Sequence, residues 1–189
     1  MRIDWSSVMR CIRTRGKKGE KHADPADPPR RRANKVRGHG TWKLDRPPVF
    51  GIVGREHSQI RLEVTPDHTR KTLCPLAEQF SRPDATVNTD EWVAYDPLAD
   101  HGRRRVKVKH ARPNPEYARD DDGDGVREVH CNTMEGIWTG LRNFLRIFRG
   151  VNKEYLKQYV AIFEWSHNLK KATDAFLRAL LGAGTAVAT

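Results

Sequence analysis

Hydrophobic positions gather between residues 47 and 180, and their spacing predicts short strands alternating with helices. Val49–Gly54 (VFGIVG) is a continuous apolar run, and Gln59–Val64 (QIRLEV) alternates apolar with polar. The connection REHS between them suits an antiparallel hairpin. Leu73, Leu76, Ala77 and Phe80 make a helical stripe over Thr69–Phe80, in which Pro75 predicts a kink or a later start. Thr86–Thr89 reads as a strand and Glu91–Ala99 as a short helix containing Pro97. Arg105–His110 sets Val106 and Val108 between basic residues, a half-exposed strand. Asn114–Arg127 is a polar, acidic loop. A helix runs from about Asn132 to Phe148, with Gly150 as its C-cap. A last helix starts near Asn152, with an apolar face of Leu156, Tyr159, Val160, Phe163 and Leu169 that can extend through Phe176, Leu177 and Leu180. This order is that of an α/β domain with a mixed sheet.

Charge divides the chain. Residues 1–46 carry 14 Lys/Arg against 5 Asp/Glu, whereas residues 47–189 carry 21 against 19. The excess of +11 therefore sits mainly in the N-terminal quarter and points to a polyanionic partner, nucleic acid before membrane. Three segments follow: an atypical stretch over 1–15, a basic Pro/Gly-rich arm over 16–46, and a folded domain over 47–180. Within the arm, Arg30, Arg31, Arg32, Lys35 and Arg37 are candidate phosphate contacts, and a solvated arm is the plainer alternative. Cys11, Cys74 and Cys131 lack CxxC spacing, which argues against a disulfide scaffold and fits a reducing cytoplasm. Charges interrupt Met1–Arg15, so no secretory signal is expected there. No apolar run approaches the roughly 20 residues of a membrane span.

The candidate chemistry lies in two places. VNTDEWVAY reads as a strand ending at Asp90 and Glu91, and VHCNTMEGIWTGLR as a helix start with Glu135 in its first turn. Carboxylates at a strand end and a helix start can hold the hard divalent ions used in phosphodiester chemistry. Asp90 would face the crevice at the strand's C-terminal end. Asn132 lies one turn before Glu135, and Arg142, two turns after it, is placed to hold a phosphate. The plainer reading is a common strand end and a capping box.

The sequence TDEW-x-AY, a basic strand ending in His110, EYAR, an acidic loop and VH-x-NTMEG-x-W occur in that order, preceded by RGHGTW and RPPVFGIV. Together these resemble the ISXO-like transposases of bacterial insertion sequences, over about residues 16–170. The resemblance implies a DDE-class domain with an RNase H-like mixed sheet flanked by helices. It implies Mg²⁺- or Mn²⁺-dependent cleavage and joining of DNA strands. Asp90 matches the second catalytic carboxylate and Glu135 the third, with Asn132 as an assisting candidate in the same helix. The implied partners are DNA at transposon ends and target, with a homo-oligomer or an intact transposase as possible protein partners. The implied location is the bacterial cytoplasm at the nucleoid.

One departure stands out. The family's first catalytic Asp falls at Met9, and nothing from Val8 to Arg15 fits its pattern. Asp4 is too early, and Asp24 and Asp27 lie beyond the start of the loop. Val8–Lys18 can be back-translated so that another reading frame gives Asp-Ala-Leu-His-Gln-Asp-Ala-Gly-Lys-Lys. A one-base slip near the codons of Gly16–Gly19 would account for the difference. The first catalytic strand is then expected to be missing or scrambled, leaving neighbouring edges unpaired. Asp120, Asp122 and Asp124 mimic the opening of a calcium loop, but its twelfth position is Cys131. Three readings remain: a transposase catalytic domain, a catalytically dead remnant, and an unrelated basic DNA-binding protein.

Overall fold

A computed structural model describes residues 4–11, 40–43, 46–110 and 113–169, the first group as a backbone strand. The basic arm residues Arg30, Arg31, Arg32, Lys35 and Arg37 and the helical extension through Phe176, Leu177 and Leu180 lie outside the described residues.

Five strands form one mixed sheet in the order β3-β2-β1-β4-β5. They are β1 (Asp4–Cys11), β2 (Pro48–Gly54), β3 (Gln59–Val64), β4 (Thr86–Thr89) and β5 (Arg104–Lys107). The hairpin β2–β3 forms as the pattern predicts, in the register Ile52↔Arg61. Every residue of β2 is buried, which explains its unbroken apolar run: the strand is covered on both faces. Val49 and Val53 face one core with α2 (Asn132–Arg146) and α3 (Lys153–Asn168). Phe50 and Ile52 face a second core with α1 (Arg70–Phe80) and a 3-10 turn at Val93–Leu98. The architecture is therefore a mixed α/β sheet between two helical layers. No helix among the described residues is long and apolar enough to cross a membrane.

The expectation of an absent first strand is corrected. Asp4–Cys11 fills the centre of the sheet, antiparallel to β2 from Trp5↔Gly54 to Cys11↔Pro48 and parallel to β4 from Asp4↔Thr86 to Ser7↔Thr89. The physical reason is that ladder hydrogen bonds come from the backbone. DWSSVMRC contains no proline, and two open strand edges would otherwise keep unpaired N–H and C=O groups. The acidic loop also holds structure that the sequence reading passed over: β6 (Ala118–Arg119) pairs antiparallel with β7 (Val129–His130).

Pro75 lies inside α1 without displacing its start. The predicted helix after Asp90 is the shorter 3-10 turn, and the predicted strand to His110 stops at Lys107. Helix α3 starts as expected, with the Asn152 side chain accepting from Glu154 N at 2.9 Å as its cap. Its far end covers the sheet edge: Asn168 accepts from Ile60 N at 2.8 Å and donates to Ile60 O at 2.9 Å. Glu164 accepts from Leu62 N at 2.6 Å.

Candidate functional site

Strand β4 ends at the buried Thr89, and the chain turns there through Asp90. The turn is held by Arg105 of β5, whose side chain is 2% exposed. Its guanidinium donates to Thr89 Oγ1 at 2.9 Å, to Asp90 O at 3.1 Å and to Trp92 O at 2.8 Å. It also pairs with Asp96, which Lys107 reaches at 2.6 Å. The Asp90 carboxylate is thereby left without a direct arginine partner. It accepts from Trp92 N at 3.2 Å. Burial raises its pKa above the ordinary value, against the opposing pull of the Trp92 hydrogen bond and the charges of His110 and Arg105.

Glu135 comes from the other core layer. Arg55, just after β2, donates to the carbonyl oxygens of Glu128 and His130 and so fixes β7, the strand that feeds α2. Gly51 then sets how closely α2 approaches the sheet. A Cβ there would lie 2.6 Å from Met134 Cε and from the Trp138 ring. Beside Met134, Glu135 is exposed at the helix start, and its Oε1 lies 3.7 Å from His110 Nδ1. His110 follows β5, and its ring rests 5.7 Å from that of Tyr117. His110 thus pairs with Glu135, and its charge also acts on Asp90, an acid 45 positions earlier in the chain than Glu135. The buried Nε2 of His110 has no hydrogen-bond partner.

The remaining sequence candidates take different places. Asn132 is exposed at the first position of α2 and lines a groove of about 880 Å³ with Lys109, Tyr117, Arg119 and Arg127. Arg142 is exposed on α2 and donates to Thr139 Oγ1 at 2.9 Å, while that hydroxyl donates to Glu135 O at 3.1 Å. It stands two turns from Glu135, free of any acidic partner in these bonds. Sequence reasoning assigned no role to Arg105 or Arg55, and read His110, with His130 and Cys131, as a structural or DNA-facing neighbour of the site and not as a zinc ligand. The available signal was His110 at the end of a basic strand; nothing local marks Arg105 as buried.

As a cation site the arrangement is part-filled. Asp90 and Glu135 offer the hard oxygens that Mg²⁺ or Mn²⁺ takes. Among the described residues no third carboxylate joins them: Glu91 is exposed, and Asp96 is held by Arg105 and Lys107. One step beyond Ser7↔Thr89, the β1 register brings Val8 beside Asp90, with Met9 next. Asp4 pairs with Thr86 at the other end of β4. Among the described residues, Asp90, His110 and Glu135 do not form a three-ligand group within 4.8 Å. A bridged two-ion site therefore does not fit the residues present.

The site so described is a mixed sheet with an acidic strand end at Asp90, an acidic helix start at Glu135, and a groove lined by Lys109, Arg119 and Arg127 together with Glu116 and Asp120. Residues 18–168 match the ISXO2-like transposase domain, and the chain belongs to that family. It is 32% identical over 150 residues to an uncharacterized protein in the transposable element ISH50 of Halobacterium salinarum, a match covering 78% of this chain and 48% of that protein. It is 25% identical over 105 residues to an uncharacterized transposase-like protein of Haemophilus influenzae, covering 56% of this chain and 77% of the relative. The chain thus spans about half the length of the Halobacterium protein.

Proposed function

We propose that this chain is the catalytic-fold domain of an insertion-sequence transposase, built for divalent-metal-dependent cleavage and joining of DNA strands, and that its reaction site is incomplete. The observation that carries the reading is the His110–Glu135 pair at the start of α2, with the His110 charge also acting on the buried Asp90 at the end of β4. The sheet order β3-β2-β1-β4-β5, with β1–β3 antiparallel and β4 and β5 parallel to β1, supports an RNase H-like assignment. Mg²⁺ or Mn²⁺, when bound, supplies charge stabilisation to the reacting phosphate. Asp90 and Glu135 are the ligands available to it, and Asn132 assists at the groove. Arg142 and the arm residues Arg30, Arg31, Arg32, Lys35 and Arg37 hold DNA phosphates by charge-assisted contacts, which predicts steep loss of binding with salt.

The missing acid belongs at Val8–Met9, where the β1 register passes Asp90. The family match begins at residue 18, beside the Gly16–Gly19 run where a one-base slip restores an Asp at position 9. The gene sequence tests this directly: an alternative frame without an Asp codon there removes the slip.

The functional test is a metal-dependent nicking assay on duplex DNA. The chain as it stands should nick no faster than Asp90→Ala. Met9→Asp should raise nicking at least 100-fold, with the gain lost in Met9→Asp combined with Asp90→Ala. Nicking by the unaltered chain at the rate of Met9→Asp would show that the third acid is unnecessary and overturn the incomplete-site reading. No gain from Met9→Asp, with DNA binding intact, would remove the cleavage assignment.

A further inference from the structure

A second cluster of ligand-type side chains lies at the other end of the sheet. Strands β4 and β5 run in parallel from Thr86↔Arg104 to Thr89↔Lys107, so His101 precedes the end of the pair remote from Asp90. Cys74 and Glu78 occupy positions i and i+4 of α1 and share one face of the helix. The Cys74 thiol donates to Glu78 Oε1 at 3.3 Å, and His101 Nδ1 hydrogen-bonds the same oxygen. The sulfur, oxygen and nitrogen all lie within 4.8 Å of one another.

From this geometry we propose that Cys74, Glu78 and His101 form a three-ligand site for Zn²⁺ or a similar borderline transition-metal ion. The ligand set is one thiolate, one carboxylate and one imidazole, which suits zinc and not Mg²⁺. Zinc bonds of about 2.0–2.3 Å in a tetrahedron put neighbouring ligand atoms about 3.3–3.8 Å apart, a spacing the Cys74–Glu78 pair already has. Two donors now point at one carboxylate oxygen; a divalent cation takes the place of their protons. Binding releases the thiol proton to solvent, and the Nδ1 proton of His101 passes by way of solvent to Nε2, so that neutral His101 offers its Nδ1 lone pair to the ion. Cys74 is buried and His101 is half-exposed, so the fourth position opens toward water on the His101 side.

Arg103 is the nearest objection, because a guanidinium repels a cation. Its hydrogen bonds run to Ser81 Oγ and to the carbonyl oxygens of Glu78, Ser81 and His101. It therefore fastens the two ligand-bearing segments to each other before any ion arrives. A dication with one thiolate and one carboxylate is neutral overall, so the filled site presents Arg103 with no net charge.

The site stands apart from the cleavage reading and is tested without DNA. The intact chain is titrated with Co²⁺, whose bond to a thiolate gives a near-ultraviolet charge-transfer band and whose tetrahedral form absorbs in the visible. One equivalent should produce both, and Zn²⁺ should displace them. Cys74→Ser should abolish the thiolate band. His101→Ala, an exposed position that leaves the core intact, should weaken binding at least tenfold. Absence of the thiolate band at one equivalent overturns the site, as does a band unchanged in Cys74→Ser. Cobalt bound without a thiolate band would place it on carboxylates elsewhere, at Asp90 and Glu135 or in the Asp120, Asp122 and Asp124 loop, and equally overturn it.

Discussion

Arg105→Ala tests whether a buried guanidinium holds the turn that presents Asp90. Arg105 reaches Thr89 Oγ1, Asp90 O, Trp92 O and Asp96, and its guanidinium lies 5.9 Å from the Tyr95 ring centroid. Its acceptors keep second donors. Thr89 Oγ1 donates to Asp90 O at 2.8 Å, Tyr95 N donates to Trp92 O at 3.3 Å, and Lys107 stays on Asp96. The loss is therefore that of three interior hydrogen bonds at about 1 kcal/mol net each together with the part-exposed Asp96 pair, which Lys107 still satisfies, and not of orphaned carbonyls. Removing a charge that burial disfavours offsets part of this, since desolvation is the first cause lowering the Arg105 pKa. The balance is about 2–3 kcal/mol, which at a urea slope of about 2 kcal/mol per M lowers the unfolding midpoint by roughly 1–1.5 M. Arg105→Lys keeps the Asp96 pair and loses the fork, so it should fall between the two. Amide exchange at Trp92 and Val93 should quicken while β2 and β3 stay protected. A midpoint shift below about 0.3 M, or a lysine variant equal to the parent, would refute the reasoning.

Three further outcomes are expected. Asp67 accepts from Thr72 Oγ1, Thr69 N and Thr69 Oγ1, bonds that hold its carboxylate below the ordinary 3.8. Its stabilisation is full above that value and fades as pH falls through the lower folded one, so Asp67→Ala should cost about 1 kcal/mol at pH 7 and progressively less below pH 4 in urea titrations. Gly51→Ala puts a methyl 2.6 Å from Met134 Cε and the Trp138 ring, and should cost about 1–3 kcal/mol by thermal unfolding; a neutral result would show that α2 can lift. Asn168→Ala removes both bonds to Ile60, and should cost about 1–2 kcal/mol and promote self-association through the uncovered β3 edge in sedimentation. An unchanged sedimentation profile with full loss of stability would show that Glu164 alone protects the edge.

The sequence made the local elements legible where one physical signal dominated. The unbroken apolar run of β2 and the alternation of β3 gave both strands and their hairpin because burial sets those patterns directly. The Asn152 cap likewise marked the start of α3. The two candidate acids were legible from their positions at a strand end and a helix start. What brings them together was not. Arg105 belongs to a run of three arginines that reads as solvent-facing, and its burial depends on carbonyl groups 13–15 residues away. His110 meets Glu135 through the pairing of β5 with β4 and the packing of α2, both long-range effects. The two-residue strand β6 is too short for periodicity to register. The first strand escaped because its pattern lacks alternation, and pairing on both sides needs none.

That last point bears on what kind of protein this is. A central strand contributes its backbone to two neighbours whatever its side chains, provided proline is absent. A two-metal site makes the opposite demand: it needs one side-chain type at one position and tolerates almost no backbone-equivalent substitute. Asp4–Cys11 meets the first requirement, pairing with β2 over Trp5–Cys11 and with β4 over Asp4–Ser7, and has Val8 and Met9 where the second asks for an acid. On the proposed reading, scrambling this segment leaves the fold, the Asp90 turn and the Arg105 clamp standing while removing one acid of the proposed site. On that reading, restoring one carboxylate is a smaller change than building a site, because the strands around it are already in register.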